Sequence, residues 1–160
     1  MGKNDTPSLV LAAIVGDMLG VTKLLAEGSE IEDRDRAGRT ALHNATINKH
    51  TELVRLLISS GANANVRDKA GWTPLHFAAQ EYALDIAQLL LEAGGHVDSQ
   101  DDHGNTPLGR ATFESKGRGD MIRFLLSRGA DRNLVNKHGV SPVALARNIG
   151  NYDVKHFFEP

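Results

Sequence analysis

Asp68-Lys69-Ala70-Gly71-Trp72-Thr73-Pro74-Leu75-His76-Phe77-Ala78-Ala79 is the stretch that decides the fold. Asp-x-x-Gly predicts a tight turn, with Gly71 supplying the positive φ that such a turn wants. Thr73-Pro74 then predicts a helix start. Thr caps the first amides, and Pro fits the first helical position because its missing donor has no partner there. Leu75, Ala78 and Ala79 fall at helical spacing and mark a buried face. The alanines are small enough to let another helix come close. Further on, Ile86, Leu89 and Leu90 predict a second helix, which Gly94 stops through a left-handed cap.

The same unit recurs along the chain. Gly38, Gly71, Gly104 and Gly139 are spaced 33, 33 and 35 residues apart. Thr40, Thr73, Thr106 and Ser141 keep those intervals, as do Leu42, Leu75, Leu108 and Val143. Ala45, Ala78, Ala111 and Ala146 form another such column, and Gly28, Gly61, Gly94 and Gly129 a fifth. A fixed period of this length marks a solenoid or array. Two short helices bury little alone, so neighbouring units must stack.

On these residues the chain resembles the ankyrin repeat family. The resemblance runs from Asp68 through Gly94, and recurs in Gly38-Arg39-Thr40-Ala41-Leu42-His43 and Ser60-Gly61-Ala62-Asn63-Ala64-Asn65. It implies an all-α solenoid of antiparallel helix pairs with β-hairpin fingers projecting to one side. Five units are expected within a single domain spanning 1–160, at about 4–34, 35–67, 68–100, 101–135 and 136–160. Lys23, Arg147 and Lys155 replace apolar or small residues of the middle units, as terminal caps do, so the stack is expected to begin and end within this chain. The fourth unit carries two extra residues within Phe113–Gly119, read either as a neutral insertion or as an adapted contact loop.

Composition narrows the function classes. Eighteen Lys and Arg against 20 Asp and Glu leave a net charge of −2, without the basic excess of a nucleic-acid protein. No cysteine is present, which excludes disulfides, Cys-ligated zinc and thiol catalysis and fits a reducing, cytoplasmic setting. No apolar run reaches the ~18 residues that cross a bilayer. Leu9–Val15 is too short for a signal core, is followed by Asp17 and lacks a positive leader, so a buried first helix is expected. Met1-Gly2 with Thr6 matches a myristoylation signal poorly.

Catalytic motifs are missing. The sequence holds no phosphate-binding glycine loop, Gly-x-Ser-x-Gly or His-Glu-x-x-His. The resemblance makes His43 and His76 buried hydrogen-bonding residues, and Gly109 and Ala144 replace them later, so no metal array is expected. Arg118-Gly119-Asp120 and the sequon Asn44-Ala45-Thr46 are read as idle. The expectation is a non-enzymatic monomer without cofactor, metal, membrane or small-molecule substrate.

What remains is recognition of a partner protein. The resemblance implies binding along a concave groove of finger tips and first-helix ends. On the fingers these are Arg36, Arg39, Arg67, Lys69 and Trp72, then Asp102, His103 and Asn105. On the helices they are Ile47 and Asn48, Gln80 and Glu81, and Phe113 and Glu114. Ile47, Trp72 and Phe113 are expected to be exposed there as a contact patch. The fingers are charge-graded, from Arg34, Arg36, Arg39, Arg67 and Lys69 to Asp101 and Asp102. A sharper alternative is a stoichiometric inhibitor, such as a bacterial immunity protein that occludes a toxin's active site.

Overall fold

Each turn-and-helix signal in the sequence becomes a short helix in the computed structural model, which describes residues 6–150 and 152–159. Met1-Gly2, and residues 4 and 5 of the first unit, lie outside the described residues. In chain order the helices are α1 Ser8–Val15, α2 Met18–Ala26, α3 Ala41–Ile47, α4 Thr51–Ser59 and α5 Pro74–Gln80. They continue with α6 Leu84–Glu92, α7 Pro107–Phe113, α8 Asp120–Ser127 and α9 Pro142–Asn148. A 3-10 turn, Lys155–Phe158, stands where a partner of α9 would be.

The helices stack in two layers. α1, α3, α5, α7 and α9 pack one on the next, while α4, α6 and α8 form the layer behind. Leu42, Leu75 and Leu108 are buried in the first layer, with Ala45, Ala78 and Ala111 between them. Leu53, Leu57, Ile86, Leu90, Ile122 and Leu125 fill the seam between layers. Burying each such leucine or isoleucine contributes roughly 1.5–3 kcal/mol against the chain's lost entropy.

The expected β-hairpin fingers do not form: among the described residues there is no strand. The aspartates explain why. In the turn after α4, Asp68 Oδ1 accepts the N–H groups of Ala70 and Trp72, both at 2.9 Å. The Trp72 carbonyl in turn accepts the Asp68 N–H at 2.9 Å. This closes a tight loop with no residues left over for a ladder. Each turn touches the next through one backbone bond, as from Lys69 N to Ala37 O at 2.9 Å and from Asp102 N to Ala70 O at 3.0 Å. Gly71 is required there: its φ is +77°, and a Cβ would lie 2.8 Å from the Asp102 nitrogen of the next turn.

The first unit also departs from a fully polar cap. Lys23 is exposed, yet so are Leu11 (51%), Val15 (73%) and Leu19 (84%). No helix among the described residues is long and apolar enough to cross a membrane.

Candidate functional site: the face of turns and first helices

Four ladders of polar contacts run from unit to unit and set this face. In the first, histidine completes each helix cap. Nδ1 of His43 accepts the Thr40 N–H at 3.1 Å, so Nε2 carries the proton and donates to the Trp72 carbonyl at 3.0 Å. His76 repeats this with the Thr73 N–H at 3.1 Å and the Asn105 carbonyl at 3.0 Å. Burial pushes both imidazoles down to about 4, although each hydrogen bond to a carbonyl opposes the shift. Both rings are therefore neutral at pH 7 and hold the stack together.

A second ladder uses the residue before each turn. Arg34 donates to the Arg67 carbonyl at 2.6 Å, Arg67 to the Gln100 carbonyl at 2.8 Å, and Gln100 to the Val135 carbonyl at 3.0 Å. A third has Glu32, Asn65 and Asp98 accepting the backbone N–H of Asn63, His96 and Asp131. The fourth is the backbone series already described. Each such bond is worth about 1 kcal/mol, so together they rigidify the row of turns.

Several residues expected to meet a partner are thus engaged within the chain. Arg67 also pairs with Asp102 at 3.1 Å. Asn105 accepts from Asn136 Nδ2 at 2.9 Å. Arg39 lies 3.5 Å from Asp68 and 4.9 Å above the Phe77 ring. Glu81 pairs with Lys49 at 3.6 Å.

Asp101 is not an exposed acidic tip either. Its carboxylate is buried and accepts from Arg110 at 2.9 Å, His103 N at 2.9 Å and Asn105 N at 2.8 Å. Burial raises this carboxyl, but the Arg110, Asn105 and His103 donors together outweigh it and hold the pKa below the usual value. The finger charge gradient is therefore shorter than the sequence reads.

The aromatic patch differs in the same way. Phe113 is 63% exposed. Ile47 and Trp72 are only half-buried, and Trp72 is covered on one face by Arg110, 4.2 Å from its ring, and packs 4.7 Å from the Phe77 ring. Arg110 and Phe77 did not stand out in the sequence. Their signal was register: Leu11, Asn44, Phe77, Arg110 and Leu145 occupy one column at the ankyrin period and line this face together. Arg36, Asn48, Lys69 and His103 are exposed beside them, with Gln80 and Glu114 partly so.

A cavity of about 330 Å³ opens between α7 and α9, lined by Arg110, Phe113, Leu134, His138, Val140 and Leu145 among others. A second, polar one of about 270 Å³ lies at the helix ends, among Lys49, Gln80, Glu81, Glu114, Lys116 and Arg118. The insertion borders it. Tyr82 reaches across to fix that loop, donating to the carbonyls of Ala111 at 2.7 Å and Arg118 at 3.2 Å. Burial raises the Tyr82 phenol well above its ordinary value. Among the described residues no group of three or more His, Asp or Glu side chains is placed to hold a metal ion.

The period, the capped helix pairs and the inter-unit ladders find their counterpart in one family model, described as ankyrin repeats in three copies, which matches residues 9–101 and 60–136. The chain belongs to the ankyrin repeat family. A comparison with curated proteins finds no match. An ankyrin repeat stack is an interaction module, typically without catalysis of its own, and its partners are proteins. In this ankyrin stack the polar residues of the turns mostly hold neighbouring units, and Val15 and Phe113 at first-helix ends are exposed apolar side chains.

Proposed function

We propose that this face binds a single partner protein, with its apolar contacts at the two ends of the row and its polar contacts in the middle. The observation that carries the reading is Phe113. It is a large aromatic side chain, 63% exposed, on a rigid helix beside a cavity and the Trp72–Arg110 stack. An exposed apolar group framed by polar ones is what a contact site looks like, and Trp and Arg dominate interface energies. At the other end Leu11 and Val15 repeat the pattern. Between them Asn48, the Lys49–Glu81 pair and Lys69 supply hydrogen bonds and orientation.

The row of ladders serves this role by preorganisation. Side chains and turns that are fixed before binding lose little further entropy when the partner arrives. The test is a double variant, Lys69→Glu with Phe113→Ser. Neither residue is part of a ladder side-chain contact, so melting should be unchanged while partner affinity falls at least tenfold.

A further inference from the structure

The histidine ladder has a missing rung. His43 and His76 each link an N-cap N–H to the carbonyl of the residue just past the glycine of the next turn. The third rung is Gly109. Its two would-be partners are in place. Among the described residues Val140 O accepts only the Asn136 N–H, at 3.0 Å, where Trp72 O and Asn105 O each accept a backbone N–H and a histidine as well. The Thr106 N–H, whose counterparts at Thr40 and Thr73 donate to imidazole, has no acceptor among the described residues. The space a ring would fill is part of the 330 Å³ cavity, which Thr106, Gly109 and Val140 help to line.

We propose that this cavity takes an imidazole ring from outside the chain, carried by a histidine of the bound partner. The two polar groups at its base are one acceptor and one donor, held as they are around His43 and His76. A neutral imidazole is the side chain that offers an N–H donor and a ring-nitrogen acceptor across one small ring. Leu134, Val140, Pro142 and Leu145 give the lining apolar surface that matches the ring's apolar body, while Asn105, Arg110, Asn136, His138 and Ser141 line the rest. The mouth opens beside Phe113, on the face assigned to the partner, so the inference deepens that reading by naming one partner side chain. Satisfying both groups at once fixes register as well as affinity, because a one-residue slip would leave both unpaired.

The test needs no partner. Amide resonances of the full chain are followed at pH 8 during titration with imidazole, with 1-methylimidazole, which cannot donate, and with the blocked peptide acetyl-Gly-His-Gly-amide. Imidazole should shift Thr106, Gly109 and Val140 saturably, and 1-methylimidazole should bind about three- to tenfold more weakly for want of one hydrogen bond. The peptide should bind at least as well as imidazole. Gly109→His should abolish all three and raise the melting temperature, since a Cβ there meets only Thr106 Oγ1 at 3.6 Å. Four results would each overturn the inference. They are no saturable shift, equal binding of the two imidazoles, binding that survives Gly109→His, and exclusion of the peptide while imidazole binds. Such failure leaves the groove reading standing, because loss of partner affinity in the Phe113 variant is measured separately.

Discussion

The Nε2 of His76 lies 3.0 Å from the carbonyl oxygen of Asn105, 29 residues further along the chain. The same ring accepts the N–H of Thr73 at the start of its own helix. One side chain thus completes a cap and joins two units, and His43 does the same one unit earlier.

This arrangement makes stability depend on pH. Unfolded, each imidazole takes up its proton near 6.5; folded, it does so only near 4. Below 6.5 the unfolded state binds protons that the folded state refuses. Stability from these rings is therefore full above pH 6.5, declines as pH falls and is lost by about 4. At pH 5 the loss is about 2 kcal/mol per ring. Urea midpoints at pH 7.5 and pH 5 check this. His43→Gln, which can still satisfy the cap, should remove about half of the pH-dependent drop.

Arg67 and Lys69 separate ladder from surface. Arg67→Ala removes the bonds to Gln100 O and Asp102 and should cost about 1 kcal/mol. Lys69→Ala removes an exposed side chain and should change the urea midpoint by less than the error of the measurement.

Tyr82→Phe should cost about 1–2 kcal/mol, because it strips the buried carbonyl of Ala111 of a 2.7 Å hydrogen bond. Hydrogen exchange should quicken at residues 115–118, which the hydroxyl ties down through Arg118, and stay unchanged in α3 and α4.

The fold was legible because it rests on local chemistry repeated at a fixed interval. Asp-x-x-Gly turns, Thr-Pro starts and leucine–alanine faces each report on a few neighbouring residues. The β-hairpin fingers were not legible as absent: Asp35, Asp68 and Asp101, and Asn136 through its amide oxygen, fold each turn onto a side-chain acceptor and leave no residues to pair. The exposure of the proposed contact face was legible where a side chain simply points outward, as at Phe113. It was not legible at Arg67, Asp102 or Asn105, whose partners lie 35, 35 and 31 residues away and meet only once the units stack. Polar columns such as Arg34, Arg67 and Gln100 held the clue, since surface positions without a task need not stay polar at one period. The exposure of Leu11 was not legible, because Lys23 and Arg147 mark the ends of the stack as polar.

The most direct measurement of the central claim places a photo-crosslinking residue at position 113, and in a second variant at position 88 on the outer helix α6, where Gln88 is exposed. Both variants are irradiated in a lysate of the source organism and the adducts identified by mass. The account predicts one stoichiometric protein adduct from position 113 and none of that protein from position 88. The same adduct from both positions, or from position 88 alone, would contradict it.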